Sequence, residues 1–290
     1  MIFVSPFTPL FFNPSRDSYG ADSHYCQVFA STDEILIEII AIDNSSAVSV
    51  RLNDKTAGTY TTLQLQMWDM NAHCRLYYAT LSGVDDGTDD VGKSIVVLND
   101  GLYSISFNDV ESEPFLITSD TAMLERTTLL QYANSDNRSR MDLVSVIGET
   151  QRFFDWRVPG GFKDDNWVFG VDNEQFNSLD NNIVEVYSEE VLQKQFTLGW
   201  GGGVPVWYGA MLNRILSCSY VYFDGDRFLR VGNNTPEKTQ SVVGRKSYIF
   251  KQLVQEAKMD IDVDSSNQLI IRRVADTPTY RKINTKVRTI

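Results

Sequence analysis

The chain has 290 residues, of which 42% are hydrophobic and 12% aromatic, and it carries a formal net charge of −12 at pH 7. This composition provides enough apolar side chains for a packed core and excludes disorder over most of the length. No stretch approaches the roughly 20 continuous apolar residues of a membrane-spanning helix, since even Ile35–Ile42 contains Glu38. We therefore expect no membrane insertion.

The charge is divided unevenly along the chain. The last 19 residues hold six basic side chains and a single acidic one, Asp276, so they carry +5 and leave −17 on the rest of the chain. An acidic body does not attract nucleic acid, because such binding depends on Lys and Arg at the phosphates. A basic tail on an acidic body favours docking on a neighbouring copy, and a solvated tail is the alternative.

The N-terminal residues and the cysteines bear on where the protein is made. Residues 1–21 begin with an apolar stretch that lacks a positively charged start and is interrupted by prolines, so we interpret them as an N-terminal arm and not as a signal peptide. Cys26, Cys74 and Cys218 are widely spaced and form no CxxC motif. This spacing favours reduced thiols in a protein made in a reducing cytoplasm.

Residues 22–118 are predicted to form a β-sandwich with an immunoglobulin-like fold. Short segments rich in β-branched and aromatic residues alternate with turns built from Asn, Asp and Gly. In Leu63–Met67, apolar residues alternate with glutamines, which predicts a half-buried strand. The predicted strands are His24–Ala30, Glu34–Ile42, Ala47–Leu52, Tyr60–Trp68, Cys74–Leu81, Leu102–Phe107 and Phe115–Thr118.

Residues 119–275 are predicted to form a second, β-dominated α+β domain, and residues 276–290 a basic C-terminal arm. A helix of about 12 residues is predicted after Gly201–Gly203, with Pro205 in its first turn and a broad apolar face. Asp224–Asp226 predicts a tight hairpin turn. The predicted strands are Thr127–Tyr132, Met141–Ile147, Arg152–Val158, Trp167–Val171, Ile183–Tyr187, Leu192–Leu198, Tyr220–Phe223, Arg227–Val231, Met259–Val263 and Leu269–Ile271.

No residue pattern indicates catalysis, a cofactor or a metal site. His24 and His73 have no partner at metal-binding spacing, and Asp260–Asp264 lacks the Gly and Glu that a calcium loop needs. The acidic run Asp85–Asp90 could hold a cation weakly, although a solvated loop explains it better. Gly201–Gly203 lacks the Lys of a phosphate loop. We therefore expect a protein that is not an enzyme and binds no cofactor.

The segment Arg157–Phe176 combines a Pro-Gly-Gly sequence with aromatic and hydrogen-bonding residues. Such a segment suits a protein interface, where Trp, Tyr and Arg are favoured, or a sugar-binding surface. An ordered loop packed on its own domain is the third interpretation.

Several segments resemble structural proteins encoded in the tail gene clusters of phages and prophages of gut bacteria. The resemblance is carried by RVPGGFKDDNWVFGVDNEQF, VPVWYGAMLNRILSCSYVYFDG, CQVFASTDEILIEIIA and GLYSISF, so it extends from Cys26 to Phe250, with a departure in the loop Asp85–Asp90. It implies a β-rich protein of the distal-tail or baseplate type, made in the bacterial host cytoplasm and located in the virion. Collar and adaptor proteins are related alternatives.

The sequence interpretation is thus an assembly protein that forms a homo-oligomeric ring and docks other phage tail proteins. A carbohydrate-binding or adhesion module, with a host surface glycan as partner, is the alternative. Both chain ends are candidates for contacts between subunits. The N-terminal arm carries phenylalanines that need a surface to pack against, and the C-terminal arm is basic. The candidate interface residues are Phe3, Phe7, Phe11, Phe12, Arg157, Phe162, Trp167, Phe169, Arg281, Lys282, Ile283, Val287 and Arg288.

Overall fold

A computed structural model gives the structure of most of the chain. It describes residues 1–12, 24–42, 48–84, 95–108, 110–138, 140–148, 150–177, 183–199, 202–232, 237–240, 247–257, 261–263 and 269–271. The predicted C-terminal arm and the loop Asp85–Asp90 lie outside these residues. Within them the protein is mainly β, as the sequence predicted.

The first part of the chain forms two β-sheets. One sheet has the order β1-β3-β7-β6 with β8 beside β7, and the other has the order β2-β11-β9-β4-β5 with β10 beside β9. In chain order the strands are β1 (Ile2–Val4), β2 (Gln27–Ala30), β3 (Ile35–Ile42), β4 (Val50–Asp54), β5 (Thr59–Thr62), β6 (Gln66–Asp69), β7 (Cys74–Ser82), β8 (Ile95–Val97), β9 (Gly101–Phe107), β10 (Val110–Glu111) and β11 (Phe115–Thr118).

The two sheets bury a shared apolar core. Ile35, Ile37 and Ile39 of β3 lie in the same cluster as Val50 of β4 and Ile105 of β9. Most pairs are antiparallel, but β2 pairs with β11 and β7 with β8 in parallel. The layered β architecture follows from this shared core, while the immunoglobulin-like detail stays a prediction.

The predicted strand Tyr60–Trp68 is wrong as a single element. It is two strands, because β5 pairs with β4 in one sheet and β6 pairs with β7 in the other. Residues 63–65 connect the two sheets. Leu63 enters the shared core, whereas Met67 is largely exposed, so the alternation of apolar residues and glutamines does not mark one strand face.

The second part of the chain contains two helices and eleven strands within the described residues. They are α1 (Thr121–Leu124), β12 (Thr127–Ala133), β13 (Val146–Ile147), β14 (Thr150–Gln151), β15 (Phe154–Asn177), β16 (Ile183–Leu198), α2 (Val206–Ile215), β17 (Tyr220–Phe223), β18 (Asp226–Arg230), β19 (Glu237–Gln240), β20 (Tyr248–Glu256), β21 (Ile261–Val263) and β22 (Leu269–Ile271). The predicted hairpin turn at Asp224–Asp226 connects β17 and β18, and the predicted strands Met259–Val263 and Leu269–Ile271 pair as β21 and β22, so both predictions are confirmed.

Six of these strands close into a barrel. The antiparallel order β15-β12-β17-β18-β20-β16 returns to β15, because β16 pairs with β20 on one side and with β15 on the other. Alternate residues of each strand point inward, as the period of two requires. The interior residues include Leu130, Tyr132, Phe154, Trp156, Val158, Phe196, Leu198, Val221, Phe223, Phe228, Phe250 and Val254.

Helix α2 packs into the same core. Trp207, Tyr208, Met211, Leu212 and Ile215 are buried, so the predicted helix and its apolar face are confirmed. Its start differs by one position from the expectation, since the residue before Val206 is extended and serves as the N-cap.

Strand β15 is much longer than the sequence indicated. The Pro-Gly-Gly sequence makes no turn: the strand pairs with β12 up to Pro159 and with β16 from Gly160 onward. A Cβ atom at Gly160 would lie 2.4 Å from the carbonyl oxygen of Thr197, so glycine permits this close approach. The strands predicted at Met141–Ile147 and Arg152–Val158 also differ from the structure: a short hairpin forms between β13 and β14, and Phe154–Val158 belongs to β15.

Buried polar contacts join the layered β region to the barrel. Arg157 of β15 donates from Nε and Nη2 to the carboxylate of Asp33, at 2.6 and 2.8 Å. Glu38 of β3 is completely buried, with Arg152 Nη1 at 3.3 Å. The apolar run of β3 is continuous because both faces of the strand are buried. Ile37 faces the shared core of the two sheets, while Leu36 faces the barrel cluster.

Candidate functional site

Beyond the barrel, β15 and β16 continue as a two-stranded ribbon, which we call the arm. It comprises residues 167–177 of β15 and 183–192 of β16. Its strands pair with each other in an antiparallel register from Phe169↔Leu192 to Asn177↔Ile183, with a bulge after Glu174. β12 pairs with β15 only up to Pro159, and β20 pairs with β16 only from Gln193 onward. Within the described residues, no further strand pairs with either outer edge of the arm.

The length of the arm makes it a projection. A strand rises about 3.3 Å per residue, so residues 167–177 extend roughly 35 Å from the barrel. Isolated two-stranded ribbons are marginal in water, because they bury little surface and leave both edges unpaired. A ribbon of this length suits pairing with another chain segment.

One face of the arm carries a row of apolar side chains from β15, with Glu190 of β16 opposite Val171 on the same face. Trp167, Phe169 and Val171 alternate along β15 and therefore share a face, which also includes Leu192 opposite Phe169. They are 39%, 71% and 61% exposed. The rings of Trp167 and Phe169 lie 6.0 Å apart. Such a row of large apolar side chains in water is typical of an interaction surface.

The other face of the arm is acidic toward its tip. Asp172 and Glu174 lie on it, next to Val168 and Gly170, and both carboxylates are exposed. The arm holds five Asp and Glu and no Lys or Arg, so it carries −5. A partner that covers this face needs basic side chains.

Lys194 anchors the arm at its base. Its Nζ lies 4.6 Å from the ring centre of Trp167 and 5.4 Å from that of Phe228 in the barrel. The same Nζ forms an ion pair with Glu256 at 2.8 Å. These contacts hold the first residue of the apolar row against the barrel rim. Sequence analysis did not identify Lys194 or Val171 as site residues. The alternation of Trp167, Phe169 and Val171 does indicate a strand with these three residues on one face.

The candidate interface residues at the N-terminus pack on this chain itself. β1 pairs with β3, and Phe3 contacts a small cluster around Ile40. Phe7 is completely buried in the barrel cluster. Phe11 lies 4.1 Å from Trp207, ring centre to ring centre, and Phe12 packs against the core of the layered sheets.

The remaining candidates divide into three groups. Arg157 is paired with Asp33, and Phe162 is packed against Phe228 and Phe196 in the barrel. Trp167 and Phe169 are exposed on the arm. Arg281, Lys282, Ile283, Val287 and Arg288 lie outside the described residues.

The described residues bring no catalytic or metal-binding cluster together. His24 is largely exposed and lies 3.1 Å from the carboxylate of Glu113, and His73 is exposed in a turn capped by Asn71. No group of three or more His, Cys, Asp or Glu in the described part of the chain has the geometry to hold a metal ion. None of the helices in that part is long and apolar enough to cross a membrane.

The cysteines differ in accessibility. Cys26 is exposed, whereas Cys74 and Cys218 are buried. Burial raises the pKa of the Cys218 thiol to about 12, so little thiolate is available there. We expect alkylation of the native protein to add one group, at Cys26, and alkylation after unfolding without reductant to add three. Intact-mass measurement checks this, and a single addition after unfolding would show a disulfide.

Comparison with known proteins gives no match: no protein-family profile fits the chain, and no curated protein or solved structure shows significant similarity to it. The resemblance to phage tail proteins therefore stays a prediction.

Proposed function

We propose that this chain is a structural protein of a phage tail or baseplate that assembles into a homo-oligomeric ring and docks other tail components. The observation that supports the proposal is the arm: a projecting ribbon whose edges pair with no further strand in the described part of the chain, with an exposed apolar row on one face. Its chemistry is burial of surface between subunits, and no bond is made or broken.

The energetics favour assembly through this row. Burying large apolar side chains contributes roughly 1.5–3 kcal/mol each before the cost of ordering the partners. Phe169 and Val171 together therefore contribute about 3–6 kcal/mol, and Trp167, which is 39% exposed, adds a smaller amount. Repetition of the interface around a closed ring adds to this stabilisation. The ring would use heterologous contacts, in which the arm of one subunit meets a different surface of the next.

Light scattering combined with size-exclusion chromatography tests this proposal. We expect the purified protein to elute as an oligomer, and the double variant Trp167→Ser/Phe169→Ser to shift to the monomer. The matched control is Met123→Ser/Met141→Ser, because these residues lie outside the arm and are 41% and 74% exposed. The control should assemble like the wild type.

A strictly monomeric wild type at high concentration would contradict the proposal. Equal loss of assembly in the control variant would also contradict it, since the effect would then not depend on the arm.

The alternative is a carbohydrate-binding or adhesion module. It is supported by Trp167 and Phe169, whose exposed rings could stack on a sugar, whereas Phe154, Trp156 and Phe196 are buried in the barrel. A glycan array distinguishes the two proposals. An adhesion module binds glycans as a small species and loses binding in the Trp167→Ser variant, while a ring component assembles without glycan.

A further inference from the structure

The C-terminal segment has the sequence pattern of a strand that fits the arm. In residues 282–289, Lys282, Asn284, Lys286 and Arg288 alternate with Ile283, Thr285, Val287 and Thr289. In an extended conformation such alternation places the basic side chains on one face and the β-branched ones on the other.

The free edge of β15 in the arm has the complementary arrangement. Trp167, Phe169 and Val171 lie on one face of this strand, and Asp172 and Glu174 lie on the other. A strand added along this edge would place Ile283 and Val287 beside the apolar row. It would at the same time place the basic side chains of the segment beside the carboxylates. Opposite charges in neighbouring strands stabilise such pairing, and like charges oppose it.

The net charges agree with this fit. The arm carries −5, with no basic side chain, and residues 277–290 hold four Lys and Arg with no Asp or Glu. Pairing two arms with each other would instead bring two acidic ribbons together. The basic segment is therefore the better partner for the arm on electrostatic grounds.

β20 brings the chain to the base of the arm. It runs antiparallel to β16 and ends at Glu256, one residue after the pair Gln193↔Gln255. The edge of the arm with the complementary faces belongs to β15. Because the proposed function is self-assembly, we assign this edge to the tail of a second copy.

We propose that residues 282–289 of one subunit bind as an added strand along the β15 edge of the arm of a second copy of this chain. The inference deepens the proposed function, because it rests on self-assembly and names the two surfaces that meet. The contact is head-to-tail, so each subunit offers one arm and one tail, and successive subunits extend the same contact.

Charge exchange between the two surfaces tests the inference in the full-length protein. The tail variant is Lys282→Glu/Lys286→Glu/Arg288→Glu, and the arm variant is Asp172→Lys/Glu174→Lys. We expect each variant alone to lose at least tenfold in association at low salt, measured by light scattering. The protein with both sets of changes should regain oligomers, because the reversed side chains of its tail and those on the β15 edge of its arm are again opposite in charge.

Mixing the two single-set variants distinguishes a second copy from the same chain. The tail variant keeps an acidic arm and the arm variant keeps a basic tail, and the reversed tail of the first also matches the reversed arm edge of the second. An equimolar mixture should therefore form hetero-oligomers in which the two variants alternate. The matched control, Glu125→Lys/Glu237→Lys, reverses two exposed carboxylates outside the arm and should assemble like the wild type. Circular dichroism of every variant checks that the fold is retained.

Two results would overturn the inference while leaving self-assembly intact. One is an oligomer that persists in the tail variant. The other is a mixture that forms no hetero-oligomer although each variant is monomeric, which would assign the tail to the arm of its own chain. A monomeric wild type is a different result, because it would overturn the proposed self-assembly itself and the tail contact with it.

Discussion

Replacing Phe7 with alanine is expected to lower the free energy of unfolding by about 3–5 kcal/mol, the usual cost of emptying a fully buried phenylalanine site. Phe7 has no exposed surface, and its ring packs against Tyr132 of the barrel with the guanidinium of Arg140 4.5 Å from its centre. The hydroxyl of Tyr132 also donates a hydrogen bond to the carbonyl of Phe7. Removing the ring leaves a cavity where the N-terminal segment meets the barrel.

Equilibrium unfolding in urea, followed by tryptophan fluorescence and circular dichroism, measures this loss. The matched control is Phe169→Ala, the same substitution at an exposed site, which should cost the monomer less than about 0.5 kcal/mol. Similar costs for the two variants would show that the N-terminal segment does not pack in the barrel core.

The second large effect is a loss of stability as the pH rises toward neutrality. Burial raises the pKa of the Glu38 carboxyl to about 7, although the nearby Arg152 and the backbone N–H of Val144 oppose this rise. Below pH 4.5 the carboxyl is protonated in both the folded and the unfolded chain, so ionisation carries no cost. Between about pH 4.5 and 7 the unfolded chain releases the proton while the folded protein retains it. The free energy of unfolding therefore falls over this interval, by roughly 3 kcal/mol from this group.

Unfolding free energies measured from pH 4 to 8 test this contribution. The Glu38→Gln variant should lose it, so its profile should be flatter than that of the wild type by about the same amount. Glu125→Gln, which changes an exposed carboxyl at the end of α1, should leave the profile unchanged. An unaltered slope in Glu38→Gln would mean that another group sets the pH dependence.

Glu38 also explains why the junction between the layered sheets and the barrel is well defined. It accepts hydrogen bonds from Arg152 Nη1 and from the backbone N–H of Val144, both of which belong to the second part of the chain. Together with the Asp33–Arg157 ion pair, it joins the two parts at positions where an unpaired charge would be costly. Such contacts specify one arrangement of the two parts.

Local sequence patterns determined much of the secondary structure. The Asp224–Gly225 turn was predicted because both residues tolerate positive φ, and both adopt it, at 49° and 95°. The helix α2 was predicted because Trp207, Met211 and Ile215 recur on one face, and all three are buried. These features depend on neighbours in the chain, so the sequence alone specifies them.

The strand β20 was missed because its pattern is ambiguous. Phe250 and Val254 point into the barrel, but the residue between them on that face is the buried polar side chain Gln252. Ile249 and Leu253 lie on the opposite face. With apolar residues on both faces and a polar one inside, the period of two is hidden.

The candidate site was only partly predictable. The sequence indicated that Trp167 and Phe169 belong to an interaction surface, and the structure places both on the exposed face of the arm. Phe7 was also predicted to be an interface residue, but the structure buries it completely. Composition alone cannot separate these cases, because an aromatic residue suits a core and an interface equally well.

The sequence by itself therefore determined the β class, the turns and the helix, since these follow from backbone preferences and the spacing of apolar residues. Only the tertiary structure decided which sheet each strand joins, as residues 63–65 show by connecting two sheets within one apparent strand. It also decided that β15 and β16 continue past the barrel as an arm. Pairing between strands distant in sequence depends on the hydrogen bonds and surfaces of both strands. A single segment of sequence describes only one of the two strands, so it cannot specify the pairing.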